Sequence, residues 1–441
     1  MATTEIPVKP PIALVIGSGL TGPVIAMLLQ KKGYTPIVFE KYTENADIGT
    51  TIALMPNGTK VLGVADPEMM KEVYERSRLI SAIYELNATG DVLGGNDDMV
   101  NYHAKFGGHA FGWQRTNFRF TLVERLAKRG IEFREGWALE KVVESETGVT
   151  AYFNEGRTAV GDFVVGCDGA NSVVRRTIIE DIRGAKNPHA MYSGTTHWAG
   201  FSPIPEGWAD PSSFRHIFAK GSHVVCYPFT NFSRPGAPTE FSWGVTLRVP
   251  EPSKKNWRTY APDESARLIA EQLLPTIANA DFPPHIIRIL RETTRLIKFG
   301  SYDLEEELKP AEWHSDRLVL MGDSAHPSGV SLGQGVNMSL GDCYGLYELL
   351  PDLTTGADLA AQLTRLNTTL PAIFQKYAEK RQPITVALVK GARAQSLVRT
   401  ALDWEARDES LRTRWETGEA KRRMEEINSE PFPGAVPPES A

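Results

Sequence analysis

The chain has 441 residues, 41% of them hydrophobic and 23% charged, with a formal net charge of −6. That balance supplies a large core divided over two or three structural units, and acids and bases mixed along the chain argue against a dedicated nucleic-acid surface. Three scattered cysteines, Cys167, Cys226 and Cys343, form no CxxC pair and no metal-ligand spacing, so a reducing, cytoplasmic setting and no bound metal are expected.

In chain order, Met1 to Pro11 has no apolar signal core, and Ile12-Ala13-Leu14-Val15-Ile16 is a continuous apolar run suited to a strand buried on both faces. A glycine-rich turn follows, then a helix from Pro23 to Lys32 that Gly33 stops, then a second strand Ile37-Val38-Phe39 ending at Glu40. Short strands dominate from Arg134 to Val165, and residues 190 to 250 mix strand character with aromatics and a proline-rich break, Ser233 to Pro238. Helical patterning returns at Asp263 to Leu274 and Pro284 to Leu290, Leu318 to Met321 is another buried strand, and helix prevails from Gly335 to about Ile427 with a break at Leu353 to Gly356. The tail from Glu430 is proline-rich and reads as a flexible end, and no apolar run approaches the roughly 18 residues of a membrane span.

Three separated motifs carry chemistry. Gly17-Ser18-Gly19-Leu20-Thr21-Gly22 fits GxGxxG between two strands, where glycines let backbone approach a pyrophosphate and a helix start faces it with partial positive charge. Glu40 ends the second strand, where an acid can accept from ribose hydroxyls, and Lys41 follows it. The second motif, Val164 to Arg176, brings a strand to Asp168-Gly169 with Asn171 or Ser172 as the cap of a new helix; taken alone it is equally an ordinary strand-to-helix corner. In the third, Leu320 and Met321 lead to Gly322-Asp323-Ser324-Ala325-His326-Pro327 and on to Gly333, Gly335, Val336 and Asn337. Asp323 suits a polyol, and a helix from Gly335 would stabilise negative charge in front of it.

In this order and spacing the motifs resemble the class A FAD-dependent aromatic monooxygenases, the para-hydroxybenzoate and salicylate hydroxylase superfamily, in a fungal-type form. Two further segments match, Ile48-Gly49 through Met55-Pro56-Asn57-Gly58, and Arg115-Thr116-Asn117 opening a helix. The resemblance implies that the first motif holds the ADP half of FAD, that Asp168 and Gly169 serve FAD and the nicotinamide donor, that Gly322 and Asp323 hold the ribityl chain, and that Arg115 contacts FAD. It further implies an enzyme that uses NADPH or NADH and O2 to insert one oxygen atom through a flavin C4a-hydroperoxide, hydroxylating a phenol or hydroxybenzoate-type small molecule.

The implied fold is α/β (α+β): a Rossmann-like FAD-binding domain (8–184 and 292–390), an inserted mixed β-sheet substrate domain (185–291), C-terminal helices (391–428) and a flexible tail (429–441), acting as a monomer or homodimer. Trp198, Val225, Tyr227 and Val330 are the expected substrate-pocket residues. Tyr227 and His223 are the catalytic candidates, with a core tyrosine and a surface histidine as the alternative reading. By strand alternation His223, Val225 and Tyr227 share one face and Val224 and Cys226 the other, without indicating which face meets the ligand.

Two departures stand out. Val330 occupies the position, four residues after the motif histidine, where such relatives have proline or glutamine, and Thr50-Thr51 stands where Ala-Gly is common. Epoxidation, oxidative decarboxylation or rearrangement of a secondary metabolite uses the same oxygen chemistry, and a non-catalytic binding module of related fold is the alternative from another class. The missing cysteine pair excludes a disulfide reductase.

Overall fold

The apolar run expected as a strand is β1 (Ile12–Ile16), buried from Ala13 onward and paired in parallel with β2 (Thr35–Glu40) through the crossover helix α1 (Thr21–Lys31). The structure, a computed structural model, describes residues 9–433 apart from 44–48, 207, 209, 231–239, 252–258 and 356–358. Ile48, the Ser233 to Pro238 break, the first eight residues and most of the tail therefore lie outside the described residues. The chain continues through β3 (Thr51–Leu54), α2 (Pro56–Ala65), α3 (Pro67–Arg76), β4 (Ala82–Asn87), β5 (Val92–Asn96), α4 (Tyr102–Phe106), β6 (Phe111–Gln114), α5 (Arg115–Lys128) and β7 (Glu132–Glu135). An antiparallel trio follows, β8 (Leu139–Ser145), β9 (Gly148–Phe153) and β10 (Thr158–Gly161), then β11 (Phe163–Gly166) and the short helix α6 (Val173–Arg176).

Next come four long strands, β12 (Ala190–Pro203), β13 (Ser213–Ala219), β14 (Ser222–Thr230) and β15 (Glu240–Arg248), with β16 (Thr259–Tyr260) after them. Helices α7 (Pro262–Leu268), α8 (Leu274–Thr276) and α9 (Pro284–Arg291) lead to β17 (Arg295–Leu304) and β18 (Leu318–Leu320). The chain closes with α10 (Gly335–Leu349), α11 (Leu359–Arg399), α12 (Trp404–Glu416) and α13 (Glu419–Ser429).

The parallel sheet has the order β18-β11-β1-β2-β7. This order explains how distant motifs meet. The first motif follows β1, Glu40 ends β2, Asp168 follows β11 and Asp323 follows β18, so all four lie at the carboxyl ends of four adjacent strands, where open α/β sheets bind ligands.

The larger sheet runs β16-β17-β12-β15-β14-β13-β4-β5, with β3 and β6 attached beside β14. Its strands β4, β5 and β17 come from segments that the sequence reading gave to the FAD-binding unit. Pairing partners, not chain order, draw this boundary: β4 adds in parallel to β13, and β17 pairs with β12. Likewise no break separates C-terminal helices at residue 391, because α11 runs unbroken from Leu359 to Arg399.

One face of this sheet buries Val224, Cys226, Trp243 and Val245 against Leu268, Ile269, Leu273, Ile286 and Ile289 of the α7–α9 region, so this face belongs to a closed core. Trp198 belongs to it too, opposite Val245, with Lys298 over its ring at 4.3 Å. That corrects its expected place in the substrate pocket: strand alternation turns His197 and Ala199 to the other face instead.

Candidate active site

The glycines of the first motif divide by what surrounds them. A Cβ on Gly22 would meet Gly17 O at 1.9 Å and one on Gly17 would meet Cys167 O at 2.3 Å, so these two positions allow backbone segments to touch. Gly19 is different: a Cβ there would find nothing within 4 Å. Its free side opens at the start of α1, and Gly333 and Gly169, both with positive φ, open in the same way at the other two motifs. Three bare backbone turns around one sheet edge form a cradle of the kind a dinucleotide fills, and FAD fits these residues.

Glu40 is buried and accepts from Ser18 N and Ser18 Oγ, both at 2.9 Å, and from Tyr42 N at 3.1 Å. Arg119 donates to Ser18 O and Ser18 Oγ, both at 2.8 Å, and lies 4.0 Å from Glu40. The loop's shape is thus held by side chains before any nucleotide arrives. Lys41 is exposed just beyond, with its ammonium over the Tyr42 ring. Arg119 was missing from the sequence reading, although its spacing four residues after Arg115 puts both on one helix face.

Asp168 uses its carboxylate locally. It accepts from Ser172 Oγ at 2.5 Å, Val173 N at 2.7 Å and Val174 N at 3.2 Å, while Ser172 caps α6 by accepting from Arg175 N. Burial raises the Asp168 carboxyl, and these donors oppose the rise. Arg175 braces the second motif to the third by donating to Ala170 O at 2.6 Å and Ser324 O at 2.9 Å, another contact that the sequence reading left without a role.

Asp323 lies in a deep cleft: its side chain is exposed, yet surrounding protein raises its carboxyl, with His326 and Arg115 opposing and Asp342 adding to the rise. Arg115 packs against Gly49, whose Cβ position is 3.2 Å from Arg115 Cδ. The Gly322 turn is fixed from behind by Asp342, fully buried in α10, which accepts from Gly322 N at 3.0 Å, His326 Nε2 at 2.6 Å and Arg381 Nε at 2.9 Å. These donors hold the Asp342 carboxyl below its ordinary value against burial. His326 therefore orients the loop. Asp342 escaped notice, although an acid within the apolar stretch Met338 to Leu346 demands a partner.

Helix α10 begins at Gly335, and Asn337 in its first turn ties the neighbouring segments together. It accepts from Met55 N at 3.1 Å and donates to Ala53 O and Gly333 O, both at 3.1 Å. A Cβ on Gly58 would sit 2.3 Å from Asn337 Oδ1, which is why the segment after Met55 carries glycine there. Val336 packs on the FAD-unit core, and Thr21 Oγ1 lies 3.0 Å from the Gly322 Cβ position.

The second face of the large sheet meets these loops at three points. A Cβ on Gly329 would lie 2.9 Å from Ser301 Oγ, Arg295 donates to Gly49 O at 3.0 Å, and Thr51 Oγ1 lies 2.6 Å from Tyr227 Oη while also touching Ser242 Oγ. Between them Phe214, His216, Val225 and Gly244 keep partial exposure, marking the sheet wall of a cleft, and Val330 is exposed on the loop side. Tyr227 is buried, stacked on Phe214 at 4.7 Å, and its hydroxyl is raised by burial.

His223 shares this face but is fully buried, so the surface-histidine alternative is corrected: the sheet and the C-terminal helices enclose it. The residue that reaches the cleft is His216, absent from the sequence candidates, whose Nδ1 lies 2.9 Å from His223 Nε2. Burial and the charge of Arg399 hold both imidazoles well below the usual histidine value, hence neutral. His223 Nδ1 has no partner. An unmade acceptor costs less than an orphaned N–H, so His223 is the donor to His216, leaving His216 Nε2–H free to donate.

Among the described residues no group of acids, histidines and cysteines could hold a metal, the three cysteines are unpaired, and no helix is long and apolar enough to cross a membrane.

A family model described as "FAD binding domain" matches residues 12–391. Among characterised relatives, 3-amino-4-hydroxybenzoate 2-monooxygenase of Streptomyces cremeus is 26% identical over 372 residues, covering 83% of this chain and 85% of that one. Salicylate hydroxylase asL1 of Sarocladium schorii is 24% identical over 410 residues, covering 88% and 81%. Among solved structures, Klebsiella pneumoniae HpxO complexed with FAD and uric acid superposes with a TM-score of 0.73 at 20% identity, covering 95% of this chain and 96% of that one. A salicylate hydroxylase substrate complex gives 0.71 at 17% identity, covering 96% and 99%.

Proposed function

The chain belongs to the FAD binding domain family and is an FAD-dependent monooxygenase, and on that premise we propose that it hydroxylates an aromatic small molecule of phenol or hydroxybenzoate type. The observation that carries the reading is the cleft wall, where aromatic and neutral hydrogen-bonding side chains face the loops assigned to the flavin end. Bound FAD would supply the redox chemistry by which one oxygen atom of O2 passes to the substrate and the other leaves as water, with NADH or NADPH as the electron source.

The protein's own share is binding, orientation and exclusion of water. Phe214 and Val225 offer an apolar surface for a ring. The Tyr227 hydroxyl, positioned by Thr51 and Ser242, and the Nε2–H of His216 are the groups we assign to the substrate's phenol oxygen, where two donors favour the more nucleophilic phenolate. Val330 leaves the loop side of the cleft without a polar helper, which places this task on the sheet side. The cap geometry of Asp168 suggests that its segment meets the nicotinamide donor through backbone around Gly169 more than through the carboxylate. We further infer a cytoplasmic protein, monomeric or homodimeric, that takes a small-molecule substrate.

The test is a screen for substrate-stimulated NAD(P)H oxidation across phenols, hydroxybenzoates and prenylated aromatics, with products identified. A hydroxylated product supports the reading. Stimulation that yields only hydrogen peroxide for every phenol, or an epoxide from a non-aromatic substrate, sinks it.

A further inference from the structure

The open floor of the cleft is a single row of the large sheet. Register aligns Ile297 of β17 with Ala199 of β12, Ala199 with Gly244 of β15, Gly244 with Val225 of β14, and Val225 with His216 of β13. Paired residues share a face, and Trp243 and Val245 on either side of Gly244 lie in the opposite core, so this row is turned to the cleft. Gly244, Val225 and His216 keep partial exposure along it.

The rows that flank it are closed. Two residues towards the flavin loops, Tyr227, Ser242 and Phe201 are buried, with Thr51 bonded to the first two. Two residues the other way, His223, Thr246 and His197 are buried. There His197 Nδ1 lies 3.2 Å from Thr246 Oγ1, its ring stacks on Phe299 at 5.4 Å, and Ser396 of α11 reaches Thr195 Oγ1 at 3.4 Å. At about 3.4 Å of rise per residue, the two closed rows stand roughly 14 Å apart, which admits one aromatic ring and a short substituent.

Gly244 is the lowest point of that floor. A Cβ there would meet only Val225 Cγ1 at 3.2 Å and Trp198 O at 4.0 Å, both parts of the sheet itself, and nothing from the loops opposite. Beside it Ala199, Ile297 and Phe299 form an apolar cluster of their own. No side chain of the row is a cation: His216 is held neutral, and Glu85, which continues the row on β4, is an acid already accepting from Trp415 Nε1 at 2.7 Å. Arg295, two residues before Ile297, donates to Gly49 O and Thr259 Oγ1.

We propose that Gly244 determines specificity by leaving room above the floor for an apolar ring substituent, so that the substrate is a neutral phenol with a short alkyl or alkenyl group and not a hydroxybenzoate. This rests on the proposed hydroxylation of an aromatic substrate. An alkyl group displaces water from Gly244, Ala199 and Val225, whereas a carboxylate in the same place loses its hydration without gaining a partner.

The test uses the FAD-loaded protein and reads binding, without turnover, from perturbation of the flavin absorbance. Phenol is compared with 3- and 4-isopropylphenol and with 3- and 4-hydroxybenzoate, whose carboxylate matches the isopropyl group in shape. The wild-type protein should bind the better isopropylphenol about tenfold or more tightly than phenol, each buried CH2 being worth about fourfold, and more tightly than the matching hydroxybenzoate. Gly244→Val should bring isopropylphenol down to the level of phenol, and Gly244→Ala should fall between. Flavin content and melting temperature report on folding, and Ala199→Val narrows the same space from the next strand should the Gly244 variants fail to fold. Isopropylphenol no tighter than phenol, a tighter hydroxybenzoate, an alkyl preference that survives the filled floor, or no spectral response at all overturns the proposal. A Gly244-dependent alkyl preference without any hydroxylated product would leave the specificity site standing and sink the reaction; hydroxylated hydroxybenzoates without the alkyl preference would do the reverse.

Discussion

Asp342→Asn tests whether the flavin-end loop is held from behind. The wild-type carboxylate receives three donors, from Gly322 N, His326 Nε2 and Arg381 Nε, and is fully buried. Asparagine keeps the shape but removes the charge and turns one oxygen into an NH2 that must face a former donor. Breaking one partner of a buried pair costs roughly 3–5 kcal/mol. Arg381 keeps Glu430 and Met338 O, so the lower end of that range applies. With an unfolding entropy of about 2 cal/mol/K per residue, a chain this long shifts its melting point by about 1 °C per kcal/mol, giving a drop of about 3 °C. Because Gly322 precedes Asp323, loosening the turn should also weaken FAD binding, by about tenfold for each 1.4 kcal/mol that the misplaced loop must recover. Differential scanning fluorimetry on apoprotein and titration with FAD at pH 7 read the two effects. An unchanged melting point together with unchanged FAD affinity would refute the argument.

Gly19→Ala should fold with near wild-type melting, since its Cβ meets nothing within 4 Å, yet bind FAD at least about tenfold more weakly; Gly22→Ala, with a backbone oxygen 1.9 Å away, should fail to fold or lose solubility. Asp323→Ala should purify largely colourless from a folded protein, and a fully flavinated variant would remove Asp323 from the cofactor site. Tyr227→Phe should slow hydroxylation by about tenfold or more with unchanged flavin content, because Thr51 and Ser242 still have each other; unchanged turnover would dismiss Tyr227. Acid should destabilise the protein through His197, His216 and His223. Their folded values lie below the ordinary one, so the unfolded chain binds more protons, and stability falls as pH drops below about 6.5, by about 1.4 kcal/mol per pH unit for each histidine. Denaturant titrations at pH 5 and 7, repeated on His223→Phe, check this; an unchanged pH slope in the variant would contradict it.

The sequence by itself determined the cofactor-binding frame. Apolar runs at Ile12, Ile37, Val164 and Leu318, each delivering glycine or an acid at its end, predict parallel strands and a shared ligand edge, because strand burial and turn chemistry are local properties. A helix cap at Asn171 or Ser172, which the fold gives to Ser172, and Gly335 as a helix start were legible for the same reason. The substrate side was not. Alternation along β14 grouped His223, Val225 and Tyr227 correctly, but only the packing of Val224 and Cys226 beneath α7–α9 shows which group is turned to the cleft. Trp198 was placed one residue out of phase with that wall, and the boundary at residue 291 missed β17, because register depends on a distant partner strand. Arg119 and Asp342 gain meaning from residues far along the chain, Arg119 from Ser18 and Asp342 from Arg381. Local chemistry writes the nucleotide site into consecutive residues, whereas the substrate wall is assembled by long-range pairing and packing, which only the tertiary structure decides.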